Sequence, residues 1–83
     1  MRHELVLPDL GVDEVTVSLW LVEVGSAVIE GDRLLEVLAD GVSVDLPSPA
    51  SGTLTELLVA EDDPLTVAQV LGVIESPDGD ASV

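Results

Sequence analysis

The 83-residue chain contains no cysteine, lysine, phenylalanine or tyrosine, and Trp20 is its single aromatic residue. Without cysteine, the chain forms no disulfide and no thiolate-bound metal site. Without lysine, it offers no side-chain amine for a Schiff base or an amide-linked prosthetic group. Apolar runs such as 19–22 are only four residues long, so no membrane-spanning segment is predicted. The amino-terminal residues do not resemble an export signal, and we expect a cytoplasmic domain.

Positive charge is also scarce. Arg2 and Arg33 are the only cationic side chains against seventeen aspartates and glutamates, so the formal net charge is −15 at pH 7. Such acidity repels phosphate backbones and anionic lipid, so neither a nucleic acid nor a membrane is expected as a partner. Hydrophobic residues nevertheless make up 47% of the chain, which favours a folded domain over a disordered one.

Alternation of apolar and polar residues predicts an all-β fold. Apolar residues at every second position of 15–21 predict a strand with one face inward, which leaves Trp20 on the other face with its indole N–H near water. Residues 42–46 alternate in the same way. Turn residues recur too often for helices of ordinary length, although 33–39 and 54–60 are also compatible with a short helical turn.

A repeat at an offset of 37 residues relates the two halves of the chain. Residues 16–18 align with 53–55, and similar apolar positions follow in both halves. Two copies are too few for a solenoid, so we predict one domain with quasi-two-fold symmetry over residues 1–76. Chance similarity in a chain rich in valine and leucine is the alternative. Residues 77–83 are small and polar, which predicts a flexible tail or the start of a linker.

No group of residues points to catalysis or to metal binding. The acidic run at 61–63 lacks the spacing of a calcium loop and is interpreted as solvated charge. His3 is the single imidazole and is interpreted as a solvated residue on a terminal strand. The alternative is incidental binding of Cu(II) or Ni(II) by the Met1 amine, two amide nitrogens and the His3 imidazole, without a biological role. The sequence contains no Ser-His pair and no glycine-rich phosphate loop. We therefore predict no catalytic residues, no metal ligands and no enzymatic activity for this chain alone.

Several motifs, in order, resemble the lipoyl-attachment domain of dihydrolipoamide acyltransferases and its relative, the biotinyl carrier domain. The matching segments are 7–11 (LPDLG), 17–25 (VSLWLVEVG), 28–37 (VIEGDRLLEV), 44–52 (VDLPSPASG) and 70–75 (VLGVIE). The resemblance implies a flattened barrel-sandwich hybrid of two four-stranded antiparallel sheets with quasi-two-fold symmetry. Asp62 and Ala68 stand where that family usually has glycine. Aspartate tolerates left-handed backbone, whereas Ala68 implies either a negative φ or strain.

The resemblance places the family's attachment site at residues 40–42. There an Asp-Lys-Ala tripeptide forms the tip of a hairpin and its lysine carries the lipoyl arm, whereas this chain has Asp40, Gly41 and Val42. Asp-Gly between two alternating strands is a strong hairpin-turn signal, since glycine accepts positive φ without steric cost. Turn chemistry alone therefore explains Asp40-Gly41. A tip that still docks a partner enzyme is the functional alternative.

The expected function is a lipoyl-like binding or spacer domain that carries neither lipoyl nor biotin. By resemblance we expect it in or beside a 2-oxo acid dehydrogenase complex or a biotin-dependent complex. Its expected partners are dehydrogenase or lipoate ligase components, and it is expected to be a monomer in isolation. Two alternatives remain open. The chain is a lipoyl carrier domain whose lysine has been replaced deliberately, or it is a purely structural barrel excised from a larger protein.

Overall fold

A computed structural model describes residues 1–77, which form eight β-strands and no helix. The turns that separate the strands are rich in Gly, Pro, Asp and Ser. Residues 33–39 and 52–57 are strands rather than helical turns. The strands are β1 (Arg2–Val6), β2 (Val15–Trp20), β3 (Ala27–Val28), β4 (Arg33–Ala39), β5 (Val42–Pro47), β6 (Gly52–Leu57), β7 (Pro64–Leu65) and β8 (Val70–Glu75).

The strands of residues 1–77 form two four-stranded antiparallel sheets. One sheet has the order β1-β8-β6-β3 and the other has the order β5-β4-β2-β7. The body measures 44 × 22 × 17 Å, so it is elongated. The predicted all-β fold of two four-stranded antiparallel sheets is confirmed.

The two sheets are related by the offset found in the sequence. Adding 37 to the residue numbers of β2 and β3 gives β6 and β7, and β4 begins 37 residues before β8. The hydrogen bonds repeat as well: the Gly25 N–H donates to the Leu54 carbonyl (2.7 Å), and the Asp62 N–H donates to the Val17 carbonyl (2.8 Å). The repeat is therefore structural, because each half donates the equivalent backbone hydrogen bond to the other half.

Aliphatic side chains from both sheets fill the space between them. Trp20, which is partly buried, is the one aromatic residue that packs against this core. Burial of branched aliphatic side chains is therefore the main stabilising contribution of the core. Its buried members are Leu5, Leu7, Val15, Val17, Val28, Leu34, Leu35, Val37, Ala39, Leu46, Leu54, Val59, Leu65, Leu71 and Ile74.

The prediction that the apolar residues at every second position of 15–21 point inward is wrong beyond Val17. The pairing of β2 with β4 shifts between Val17 and Leu19, and a bulge of this kind turns the following side chains to the opposite face. Leu19 is consequently 44% exposed and Leu21 is 42% exposed. Trp20 packs against the core, and its indole N–H donates to the Val59 carbonyl at 2.9 Å instead of facing water.

Two turns contain residues in the left-handed region where the family usually has glycine. Asp62 has φ = 71° and Ala68 has φ = 71°. Their equivalents at the 37-residue offset, Gly25 and Gly31, also have positive φ. The quasi-symmetry therefore imposes a left-handed backbone at these positions. Of the two expectations for Ala68, strain is the correct one, since its Cβ is unfavourable there.

The described chain ends just beyond β8. The Ser76 N–H donates to the Met1 carbonyl at 2.8 Å, which extends the pairing of β8 with β1 by one residue. Of the predicted tail at 77–83, all but Pro77 lies outside the described residues. Within residues 1–77, no helix is long and apolar enough to cross a membrane.

Candidate functional site

Residues 40–42 lie at the bend between β4 and β5. Ala39 pairs with Val42, so only Asp40 and Gly41 connect the two strands. Their φ angles are 53° and 83°, and positive φ at both central residues is typical of a type I′ hairpin turn. Glycine adopts this conformation without steric cost, and aspartate is among the few other residues that tolerate it.

The tip of this hairpin is open to solvent. A Cβ added at Gly41 would meet no other residue's atoms within 4 Å. Val42 is 63% exposed and Asp40 is exposed. The tip thus has space for a larger side chain at residue 41. The side chains that it presents are the carboxylate of Asp40 and the two methyl groups of Val42.

The loop between β1 and β2 packs beside the tip. The Asp40 N–H donates to the Glu14 carbonyl at 2.9 Å. A shallow depression of about 370 Å³ lies next to Gly41, with the carboxylate residues Asp13, Glu14 and Asp40 among those that line it. Sequence analysis identified Asp40 but missed the other two, because they reach the tip only through the pairing of β2 with β4.

Cationic side chains of the described chain lie elsewhere. Arg33 is at the opposite end of β4 from the tip, where its Nη1 lies 3.2 Å from Asp45 Oδ2. Arg2 lies in the other sheet, where its Nη2 is 3.8 Å from Glu4 Oε2 and its Nη1 is 3.5 Å from Glu56 Oε2. Neither arginine lines the depression beside Gly41. The hairpin end is therefore negatively charged and has no arginine to compensate.

The structure provides no support for a metal centre in residues 1–77. No three His, Asp or Glu residues of this part of the chain are grouped as metal ligands. Within the acidic run 61–63, Asp63 Oδ2 accepts the Ala60 N–H at 2.8 Å and so stabilises its own turn. His3 Nε2 lies 3.1 Å from Ser76 Oγ at the paired ends of β1 and β8.

Comparison with known protein sequences finds one family over most of the chain. The family described as biotin-requiring enzyme (biotin/lipoyl) matches residues 3–74. The succinyltransferase component of the 2-oxoglutarate dehydrogenase complex of Bartonella vinsonii subsp. berkhoffii is 40% identical over 85 aligned residues, which cover all of this chain and 20% of that protein. The acetyltransferase component of the pyruvate dehydrogenase complex of Corynebacterium glutamicum is 41% identical, covering 95% of this chain and 11% of that protein. This chain thus spans a fifth or less of these relatives.

Solved structures show the same fold at low sequence identity. The lipoyl domain of the 2-oxoglutarate dehydrogenase complex of Azotobacter vinelandii superimposes with a TM-score of 0.72 at 22% identity, covering 89% of this chain and 98% of that one. The urea carboxylase of Kluyveromyces lactis gives a TM-score of 0.80 at 17% identity, covering 90% of this chain and 6% of that one. At these identities the likeness extends to the fold alone.

Proposed function

Since this chain belongs to the biotin/lipoyl family, we propose that it is a lipoyl-type domain without a prosthetic arm, which docks onto an enzyme component of a 2-oxo acid dehydrogenase complex. It is a small non-catalytic module that resembles the lipoyl domains of acyltransferases in such complexes, and its relatives are parts of larger enzymes.

The observation that carries the proposal is Gly41 at the exposed bend. By resemblance, residue 41 takes the position of the lysine that carries the arm. Amide attachment of lipoate or biotin requires a side-chain amine, and the 83 residues contain no lysine. The tip residues Asp40, Gly41 and Val42 therefore do not fit the group, and no acyl or carboxyl transfer step is assigned to this chain.

Docking is supported by the features that the tip retains. The hairpin keeps an exposed bend, an exposed apolar residue in Val42, and carboxylates at Asp13, Glu14 and Asp40 with no arginine beside them. Such a surface attracts a basic partner surface over long range, and salt weakens that attraction. A purely structural barrel would need no particular surface at this end of the molecule.

Intact mass measurement tests the missing arm. The chain is co-expressed with lipoate ligase and, separately, with biotin ligase, and we expect no added mass with either. Gly41→Lys should then accept lipoate, because the tip has free space for the side chain. Gly25→Lys is the matched control, since Gly25 also has positive φ and open space but lies in another turn. An adduct on the unaltered chain, or equal modification of both lysine variants, contradicts the proposal.

Binding to the dehydrogenase component of a 2-oxoglutarate dehydrogenase complex tests docking. We expect affinity to fall when salt is raised from about 50 mM to about 500 mM. Val42→Asp should weaken binding, whereas Ile29→Asp should not, because Ile29 is equally exposed (66%) but lies before β4 and away from the tip. If no binding is found with any component at low salt, the structural barrel is the better interpretation.

A further inference from the structure

Strand β5 presents an open sheet edge. It is the outermost strand of its sheet and has six residues, whereas the edge strands β3 and β7 have two each. Its pairing with β4 is in unbroken register over 42–46. The remaining edge strand, β1, has a register shift between Leu5 and Val6. Among the described strands, β5 is therefore the longest regular edge to which a further strand can add.

The hairpin register decides which backbone groups of β5 are free. A two-residue turn is closed by a hydrogen-bonded pair, here Ala39 and Val42, and hydrogen-bonded and non-bonded pairs then alternate along the ladder. Ser43 and Asp45 consequently occupy non-bonded positions. Their N–H and C=O groups point away from β4 toward the open edge and are available to an added strand.

The inward side of this edge favours apolar residues in the added strand. Opposed residues of neighbouring strands lie on the same face, so residues next to Val44 and Leu46 would point between the two sheets. Val44 is half-buried and Leu46 is buried. A groove of about 270 Å³ opens there. Glu4 and Ser48 are the polar members of its lining, and the others are apolar: Leu5, Val6, Pro8, Leu46, Pro47 and Pro49.

The outward side of the same edge favours cationic residues. Asp45 is exposed and its neighbour across the ladder is Glu36, so two carboxylates stand side by side on the outer face. Arg33 contacts Asp45 at 3.2 Å and is the one cation beside them. Because the whole chain has a net charge of −15, a second copy is repelled and a basic segment is attracted.

We propose that β5 binds an extended segment of another protein by β-strand addition, and that this segment alternates apolar and basic residues. Main-chain hydrogen bonds to Ser43 and Asp45 supply affinity, and the alternation supplies specificity, as in other complexes of this type. The inference goes beyond the proposed function and does not depend on it, since it concerns the side of the sheet and not residue 41.

The probe for this edge is the blocked peptide Ac-Val-Lys-Val-Lys-Val-NH2, titrated into the ¹⁵N-labelled full chain. We expect the largest NMR shift changes at 42–46 and slower hydrogen exchange of the Ser43 and Asp45 amides. Two peptides serve as controls: one is N-methylated at both lysines, whose N–H groups would face Ser43 and Asp45, and one has the same composition in the order Lys-Lys-Val-Val-Val. Equal binding of either control would show non-specific charge attraction and overturn the proposal.

A proline at an edge-facing position removes one donor without touching the β4–β5 ladder. Ser43→Pro should weaken peptide binding by at least about tenfold. Arg2→Pro makes the matched change at an edge-facing position of β1 outside the groove, and it should not weaken binding. If Ser43→Pro does not fold, the N-methylated peptide on the unaltered chain carries the same test. Unchanged affinity in a folded Ser43→Pro chain, or shift changes centred away from β5, would refute the proposal.

Discussion

Raising the salt concentration should stabilise this fold strongly. The formal net charge of −15 is carried by a body whose radius of gyration is only 13.0 Å. Both arginines are already ion-paired, so no cationic side chain remains to offset the other carboxylates. Unfolding moves like charges apart, and repulsion therefore opposes folding until salt screens it.

The magnitude follows from the sizes of the two states. The folded chain is equivalent to a sphere of about 17 Å radius, and an unfolded chain of this length, with a radius of gyration of about 28 Å, to one of about 36 Å. At about 10 mM salt, the repulsive energy of 15 charges is about 17 kcal/mol on the folded sphere and about 6 kcal/mol on the unfolded one. At about 1 M salt, these energies fall to about 4 and about 1 kcal/mol. The repulsive contribution against folding thus falls from about 11 to about 3 kcal/mol, a ceiling of about 8 kcal/mol for the gain in stability. Charges close in sequence stay close after unfolding, so we expect a gain of at least about 3 kcal/mol.

Urea unfolding followed by Trp20 fluorescence measures this gain. With an m value of about 1 kcal/mol/M, the urea midpoint should rise by at least about 3 M between about 10 mM and about 1 M KCl. The control is the triple variant Glu23→Gln, Glu30→Gln, Glu61→Gln, whose three sites are exposed. Its net charge is −15 + 3 = −12, and because repulsion scales with the square of the charge, its salt gain should be about two-thirds as large. Equal midpoints at both salt concentrations, or an undiminished gain in the variant, would refute the reasoning.

Three substitutions test the backbone and the core. Ala68→Gly should stabilise the domain by about 1 kcal/mol in urea unfolding, since it relieves a side chain at φ = 71°; a loss of stability would contradict this. Gly52→Ala should destabilise it by more than about 3 kcal/mol, because the new Cβ would overlap the Glu75 carbonyl, and a folded variant of normal stability would argue against this packing. Trp20→Phe removes the fluorophore, so its urea unfolding is followed by far-UV circular dichroism; it should cost about 1–3 kcal/mol, since the Val59 carbonyl loses its donor, and an unchanged midpoint would contradict this.

Local chemistry made much of the fold predictable. The alternation at 42–46 and the Asp40-Gly41 pair specify a strand and its turn from neighbouring residues alone, and the hairpin is observed there. The 37-residue repeat was readable because the two halves place similar residues at equivalent strand positions, such as 16–18 in β2 and 53–55 in β6. Trp20 and Leu19 were assigned to the wrong faces, because a bulge depends on how β2 pairs with β4 and leaves no mark in the local pattern.

The absence of lysine alone determined that no side chain of this protein can carry an amide-linked prosthetic group. Turn propensity alone determined that Asp40 and Gly41 form a bend. Both follow from the chemistry of single residues and their nearest neighbours. Tertiary structure decided the rest of the site: it brought Asp13 and Glu14 to that bend, and it left the backbone of Ser43 and Asp45 facing an open edge. These features depend on strand register and sheet order, which are set by contacts between residues far apart in the chain.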